Sequence, residues 1–329
     1  MDGGSRSTNG DGVGGTSRGR IGWAGLPPHV RQAVERIVGD RVVEAVSQPG
    51  GYSPGTADRV RTADGRRAFV KAVSPAQNPD SPRLHRAEAR HTAALPLSAP
   101  TPRLLGCYDD GEWVALVLTD VDGRHPHTPW RDTDLDPVLR TLEALADTLT
   151  PNPVPGTPTA AERLAHDFAG WQRIAADPPP RLDPWVAAHL AELCAAADRG
   201  LACLTGDTLC HLDVRADNLL IGPDGAVTVV DWPWACRGPA WLDTAMLLVN
   251  VRLHGGHDTE ALLRRLPLTA GVDPTTLTGV YAGLAGFFAD SARRPPPPGI
   301  PTIRPFQQAQ ADALIPWLRH RLTHPQPAR

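Results

Sequence analysis

The chain has 329 residues, of which 41% are hydrophobic, so it is long enough to bury a sizeable core. Its net charge of −3 excludes the strongly basic surface typical of nucleic-acid binding. No run approaches the roughly 18 apolar residues that a membrane span requires. The five cysteines are odd in number and lack metal-ligand spacing, so we expect free thiols and a cytoplasmic location.

The start of the chain is predicted to be a disordered tail over residues 1–25. Its first part is rich in Gly, Ser and Arg and lacks the apolar segment of a secretory signal. Two lobes are predicted to follow, at residues 26–121 and 122–329. The first predicted element is a short helix over residues 28–38.

A turn rich in glycine and proline, PGGYSPG at residues 49–55, lies between two β-like runs at 41–46 and 57–61. Glycine lets a backbone approach phosphate groups closely. The turn matches neither a Walker A loop nor the protein-kinase pattern G-x-G-x-x-G. By itself it therefore predicts a hairpin turn, and it gains meaning only from the residues that follow.

Only one of the 33 basic residues is a lysine, Lys71. It belongs to a strand predicted over residues 67–73, where Phe69, Lys71 and Val73 share one face. Arginine does not replace lysine where a compact charge must reach a phosphate. A helical stretch over about residues 81–95 follows and carries Glu88.

An apolar strand over residues 113–118 is predicted to end the first lobe, and the boundary between the lobes falls within a hinge over residues 119–123. Pro- and Asp-rich joints separate the predicted helices beyond the hinge. These helices cover residues 135–149, 160–175, 184–204, 241–253, 276–291 and 306–322.

The most informative segment is residues 210–232, CHLDVRADNLLIGPDGAVTVVDW. His211, Asp213 and Asn218 fall in a short loop, and Asp231 follows a predicted hairpin of two apolar strands. The hairpin holds Asn218 and Asp231 near one end of paired strands. Their oxygens suit Mg²⁺, which takes a few protein oxygens together with substrate phosphates. Asp213 is placed to accept the proton of an attacking hydroxyl.

The pattern H-x-D-x-x-x-x-N, followed by an apolar strand and an acid, resembles the catalytic and metal loops of kinase-like enzymes. Because Asp231-Trp232 replaces Asp-Phe-Gly, the chain resembles the aminoglycoside phosphotransferase family in particular, over about residues 41–325. This resemblance implies an α+β, two-lobed protein-kinase-like fold. The strand-rich lobe at 26–121 would bind nucleotide, and the larger helical lobe at 122–329 would carry catalysis and substrate binding.

The resemblance also implies a role for each of these residues. Lys71 would hold the α- and β-phosphates and pair with Glu88, the turn would cover the phosphates, and the hinge backbone would meet adenine. The residues expected to bind ATP are thus Gly50, Gly51, Ser53, Lys71, Glu88, Asp120 and Val121. Those expected to bind Mg²⁺ are Asn218 and Asp231. Asp213 is the expected catalytic base, and His211 is expected to orient the catalytic loop.

Asp243 lies near the start of an apolar helix and has two interpretations. A carboxylate at a helix N-terminus stabilises the helix dipole. In kinase-like folds, an acid at this place holds the backbone of the catalytic loop.

The sequence thus predicts a Mg-ATP-dependent phosphotransferase acting on a hydroxyl of a small molecule. The acceptor is an aminoglycoside or related antibiotic, or a metabolic sugar or amino alcohol. Residues 122–210 carry 13 acidic and 7 basic side chains, which fits either attraction of a polycation or a solvated acidic surface.

Two rival functions are a protein kinase and a catalytically silent nucleotide-binding protein. The absence of Asp-Phe-Gly and Ala-Pro-Glu disfavours a protein kinase, and only about ten residues separate Asp231 from the Asp243 helix. A silent protein is disfavoured because all four key side chains are retained, namely Lys71, Asp213, Asn218 and Asp231.

Overall fold

The computed structural model describes residues 20–49, 51 and 54–324. A five-stranded antiparallel sheet with two helices forms the N-terminal lobe, and helices dominate the rest. The predicted α+β, two-lobed kinase-like fold is confirmed. Within the described ranges, no helix combines the length and the apolar character needed to cross a membrane.

The N-terminal sheet has the strand order β1-β2-β3-β5-β4, and each neighbouring pair is antiparallel. Its strands are β1 Val42–Ser47, β2 Thr56–Thr62, β3 Arg67–Val73, β4 Leu104–Asp109 and β5 Val114–Thr119. The two helices of this lobe are α1 Pro28–Val38 and α2 Ser81–Ala94.

Alternation along β3 decides which side chains meet each helix. Ala68, Val70 and Ala72 are buried in the core that α1 covers. Lys71 points to the opposite face, where α2 packs through Ala89 on β5. The period of a strand therefore brings the lysine and α2 to the same side of the sheet.

The N-terminal segment is ordered over part of the predicted tail. Trp23–Gly25 is a short 3-10 helix, and Ile21 and Trp23 pack on the core of the first lobe. Thr56 Oγ1 donates a hydrogen bond of 2.9 Å to the Ile21 carbonyl. Because these apolar side chains are buried, the ordered chain begins within the predicted tail. Residues 1–19 of that tail lie outside the described residues.

Among the described residues, the C-terminal lobe contains nine α-helices, a short 3-10 helix at Ala216–Asn218 and two small antiparallel strand pairs. The helices are α3 Asp132–Thr148, α4 Ala160–Phe168, α5 Gly170–Ala176, α6 Pro184–Ala202, α7 Leu242–His254, α8 Thr259–Arg265, α9 Pro267–Ala270, α10 Pro274–Ala292 and α11 Ile303–Thr323. The strands are β6 Thr208–Cys210, β7 Leu219–Ile221, β8 Val227–Val229 and β9 Cys236–Gly238. Strand β6 pairs with β9, and β7 with β8.

One predicted helix, over residues 160–175, is divided into α4 and α5 at Ala169. The break lies beside a close contact with α10, where a Cβ at Gly170 would lie 2.2 Å from the backbone of Gly286. The apolar period that predicted a single helix carries no information about such a contact.

A proline-rich segment between α10 and α11 reaches back to the N-terminal lobe. Asn78 Nδ2 donates a hydrogen bond of 2.9 Å to the Pro298 carbonyl. A Cβ at Gly299 would lie 2.8 Å from Cβ of Pro54, beside the glycine turn. This segment therefore joins the lobes in addition to the hinge.

Candidate active site

Lys71 lies between two carboxylates at the cleft between the lobes. Its Nζ is 2.7 and 2.9 Å from the two oxygens of Glu88, so the predicted ion pair is present. The same Nζ is 2.8 Å from Oδ1 of Asp231. Strand β3, helix α2 and the end of the β7–β8 hairpin thus contribute one charged group each to a single cluster.

The charges of this cluster stabilise one another. Burial alone would lower the pKa of Lys71, but the Asp231 and Glu88 carboxylates raise it above its usual value. Burial raises the pKa of Glu88, and the lysine opposes that rise. Burial also raises the pKa of Asp231, but the charge and hydrogen bond of Lys71, with smaller effects of His211 and Arg215, together lower it below its usual value. Asp231 is therefore ionised and able to bind a cation.

The loop before Asp213 is held by Asp243, in the first turn of α7. The backbone N–H of His211 donates to Oδ2 of Asp243 at 2.7 Å, and that of Leu212 donates to Oδ1 at 2.9 Å. Leu212 has a φ of +69°, which is unfavourable for a bulky residue. Asp243 therefore holds the backbone of the catalytic loop, as one of its two interpretations predicts. It also lies in the first turn of α7, as the other requires.

His211 joins the same loop to the end of the hairpin. Asp213 N–H donates to Nδ1 of His211 at 3.2 Å, so the ring proton is on Nε2, which lies 2.9 Å from the Val230 carbonyl. The histidine is 1% exposed and is absent from the lining of the cleft. This geometry suits orientation of the loop, and it offers no contact with a bound acceptor.

Asp213 faces the cleft with its carboxylate supported on one side. Asn218 Nδ2 donates to the Asp213 carbonyl at 2.8 Å and to its Oδ2 at 3.0 Å. Burial raises the pKa of Asp213, while Arg215, 3.6 Å away, opposes that rise. A raised pKa makes the carboxylate a better proton acceptor.

Asn218 and Asp231 form the candidate metal site. The Asn218 nitrogen is committed to Asp213, so its oxygen is the atom suited to a cation. The Asp231 side chain is 37% exposed at the cleft, and its φ of +71° turns the backbone at the end of the hairpin. No group of three or more His, Cys, Asp or Glu side chains in the described ranges could hold a metal. Two protein oxygens with room for phosphates fit Mg²⁺.

The hinge and the glycine turn contain the other residues expected to bind ATP. The Asp120 side chain, 4% exposed, accepts two hydrogen bonds from Arg59 and pairs with Arg67 at 2.6 Å. It therefore braces the hinge against the sheet, and adenine contact at Asp120 and Val121 stays a prediction. Gly51 has a φ of +70°, which favours glycine. The predicted contacts of Gly50 and Ser53 lie outside the described residues.

Arg20 is a charged residue near the site that sequence reasoning assigned to the tail. Its Nη1 donates to the Gln48 carbonyl at 3.1 Å, and its Nη2 lies 3.1 Å from the position of a Cβ on Gly51. Burial lowers the pKa of Arg20, and the charges of Asp231 and Asp58 oppose that change. No motif could have predicted this contact, because it arises from the path of the N-terminal segment.

The cleft continues from these groups into a cavity of about 430 Å³, which we call the acceptor cavity. It runs from Lys71 and Asp231 past Asp213 to helices α10 and α11. Between Asp231 and α7 the chain forms β9, which pairs with β6. That short connection has no room for the activation loop of a protein kinase.

Comparison with known proteins gives one family match and several structural likenesses. Residues 49–279 match the phosphotransferase enzyme family (APH). No curated protein matches the sequence. The fold is similar to choline kinase LicA from Streptococcus pneumoniae, with a TM-score of 0.59 and 13% identity over 88% of this chain and 99% of that one.

Two further solved structures share the fold. One is a thermostable mutant of aminoglycoside phosphotransferase APH(4)-Ia in a ternary complex with AMP-PNP and hygromycin B. Its TM-score is 0.58, with 16% identity over 88% of this chain and 98% of that one. The other is a choline/ethanolamine kinase family protein from Mesorhizobium loti, with a TM-score of 0.56 and 16% identity over 86% and 89% of the two chains. At such low identity these likenesses show the fold.

Proposed function

Because this chain belongs to the phosphotransferase enzyme family, we propose that it transfers the γ-phosphoryl group of ATP to a hydroxyl of a small molecule, with Mg²⁺ as cofactor. The observation that carries the proposal is the cluster of Lys71, Glu88 and Asp231 at one end of a cavity that Asp213 also lines. Phosphate-binding and proton-accepting groups therefore face one space.

The residues promote phosphoryl transfer in two ways, by positioning the reacting groups and by neutralising the charge of the phosphates. Lys71, fixed by Glu88, directs its ammonium to the α- and β-phosphates. Asp231 and Asn218 hold Mg²⁺, which neutralises phosphate charge when bound. Asp213 orients the acceptor hydroxyl and takes its proton. Transfer of this kind requires little covalent work from a protein, so positioning supplies most of the rate.

The proposal is tested by measuring ADP formation from Mg·ATP with sugars, aminosugars, amino alcohols and aryl alcohols, and by mass spectrometry of the products. We expect Asp213→Asn to keep ATP binding in calorimetry and to lower turnover by about 10²–10⁴-fold. Asp231→Ala should abolish turnover, and Asn218→Ala should lower it less completely.

Asp136→Asn, at an exposed position on α3, is the matched control and should retain wild-type turnover. A protein that neither binds Mg·ATP nor forms ADP with any acceptor class would contradict the proposal. Wild-type turnover in Asp213→Asn would remove the assigned base.

A further inference from the structure

The acceptor cavity is lined largely by apolar side chains, which make up a little over half of its lining. Trp234, Phe287 and Phe306 are only partly buried there. Partly exposed aromatic surface inside a concave site is favourably covered by an apolar ligand. The walls therefore suit a molecule with an apolar body.

The acidic side chains of residues 122–210 lie mostly away from this cavity. Ten of the 13 are exposed on the surface. The buried Asp134 is neutralised by Arg124, at 2.7 Å. Of the whole set, Asp167 alone lines the acceptor cavity. Of the two explanations for the acidic excess, the solvated surface is thus favoured. The other carboxylates that line the cavity belong to other parts of the chain, namely Asp80, Glu88, Asp213 and Asp231, and two of them, Glu88 and Asp231, are already paired with Lys71.

Helix α4 contributes a pair of charged side chains to the wall of the cavity, which we call the polar patch. Arg163 and Asp167 lie one turn apart and both line the cavity. Arg163 packs over the Trp234 ring at 5.8 Å, and its Nε is buried without a hydrogen-bond partner. Among the described residues neither side chain forms an ion pair or side-chain hydrogen bond. A buried guanidinium nitrogen without a partner is costly, so a ligand group that accepts its hydrogen bond is favoured.

Resting on the proposed function, we propose that the acceptor is an apolar, ring-bearing alcohol with one zwitterionic head, as in an amino acid, and not a polycationic aminosugar. The anionic part of the head meets Arg163 and the cationic part meets Asp167. The ring covers the aromatic wall, and the hydroxyl reaches Asp213. A cavity of about 430 Å³ accommodates a small molecule of this class.

The first test measures binding by calorimetry without nucleotide, so it is independent of phosphoryl transfer. The probe is para-hydroxymethyl-phenylalanine, which carries a ring, a hydroxyl and both head charges. Its comparison compounds are para-hydroxymethyl-phenethylamine, para-hydroxymethyl-phenylpropionate and kanamycin. We expect the zwitterionic probe to bind about tenfold or more tightly than either single-charge compound, as charged hydrogen bonds discriminate by such factors.

The second test uses variants of the polar patch. Asp167→Asn should remove the advantage of the zwitterion over the carboxylate-only compound, and Arg163→Gln should remove its advantage over the amine-only compound. Glu192→Gln and Arg199→Gln, exposed on α6, are the matched controls and should keep both preferences. Unchanged Mg·ATP binding will show that the variants are folded.

Binding and ADP formation separate the two proposals. Tighter binding of kanamycin than of the zwitterionic probe would overturn the inference about the acceptor, whatever ATP does. Equal preferences in wild type and both patch variants would overturn the role of α4. Failure to bind Mg·ATP would instead overturn the proposed function. ADP formation with the zwitterionic probe, at a higher kcat/KM than with kanamycin, supports both.

Discussion

Two residues with left-handed backbone stand beside the reactive groups, and neither is a glycine. Leu212, at φ +69°, precedes Asp213, and Asp231, at φ +71°, carries the candidate metal ligand. Such backbone persists only where the surroundings hold it. Here the Asp243 carboxylate binds the N–H of Leu212, and Lys71 binds the side chain of Asp231. The strained backbone at Leu212 and Asp231 is thus found where the Asp213 and Asp231 side chains turn into the cleft.

Asp243→Ala should separate turnover from nucleotide affinity. Without its two hydrogen bonds the loop relaxes and Asp213 shifts, for which we expect a fall in kcat of about 10²-fold. The KM for ATP should change little, because Lys71 and Asp231 lie on other elements. Asp258→Ala removes an aspartate that also binds two backbone N–H groups, on α8, so it should lower stability and leave kcat intact. An unchanged kcat in Asp243→Ala would contradict the positioning role.

The single lysine allows the charge cluster to be tested by acylation. The raised pKa of Lys71 keeps its amine protonated and unreactive. Glu88→Gln removes one of the two carboxylates that raise the pKa of Lys71. Burial, which lowers it, is then opposed by Asp231 alone, so the pKa of Lys71 should fall. We expect the labelling of Lys71 at mildly alkaline pH to rise relative to the α-amino terminus, which serves as the internal standard in peptide mapping.

Glu44→Gln provides the control, because Glu44 pairs with Arg61 on the sheet and not with the lysine. If Lys71 were labelled as fast as the terminus in the wild type, it would lack the contacts described above.

At the level of single residues, the predictable part of the site was the part set by local spacing. His211, Asp213, Asn218 and Asp231 lie within one short stretch, so a hairpin suffices to bring them together. Arg163 and Asp167 were not predicted as site residues, because α4 reaches the cavity only through tertiary packing. An arginine and an aspartate four residues apart on a helix commonly form an ion pair, so their spacing did not indicate that these two side chains would remain unpaired.

At the level of elements, glycines decide how closely the helices of the second lobe pack. A Cβ at Gly200 on α6 would lie 2.2 Å from the Gly279 backbone on α10. The backbone there cannot move like a flexible side chain, so the two helices must separate if the glycine is replaced. Because α10 also contributes Phe287 and Phe288 to the acceptor cavity, this packing positions its wall.

Gly200→Ala should therefore destabilise the protein. We expect the free energy of unfolding to fall by about 1–3 kcal/mol, which is the usual effect of overpacking a core. Urea unfolding measures it. Gly271→Ala is the matched control, since nothing lies within 4 Å of its Cβ position and its φ is not left-handed. Equal stability of the two variants would show that α6 and α10 have room to move.

The long helices and four of the five strands of the first sheet, β1, β2, β3 and β5, were predicted from the sequence pattern, and their positions agree with the structure. The predictions omitted β4 and the short helices α8 and α9. They also omitted β6 and β9, which have three residues each and so carry almost no period of their own. Their pairing is set by residues 26 or more positions apart, such as Cys210 and Cys236. The break between α4 and α5 was equally invisible, because the contact beside it is with a glycine on another helix.

At the level of the whole molecule, the proline-rich segment offers a test of how the lobes are joined. Asn78→Asp keeps the oxygen that accepts from Asp80 and Ser81 at the start of α2, and it loses the N–H donated to Pro298. We expect nucleotide to dissociate about fivefold faster, the equivalent of one hydrogen bond. Stopped-flow displacement of a fluorescent ATP analogue measures the rate.

Asn152→Asp is the control, since the Asn152 side chain bonds to Val154 within its own lobe. A dissociation rate in Asn78→Asp no faster than in this control would show that the proline-rich segment does not restrain the lobes.

Two of the connections between the lobes lie at opposite ends of β3. The hinge follows Thr119, which pairs with Ala68 near the start of that strand, and the Pro298 contact is made by Asn78, just beyond its end. Between these two points, Lys71 binds Asp231, and His91 on α2 bonds the Trp232 carbonyl at 2.8 Å. With attachments spread along the whole cleft, the first lobe has no free axis of rotation. Opening of the cleft therefore requires that the Lys71–Asp231 pair break, and a nucleotide whose phosphates take over the lysine would release that attachment.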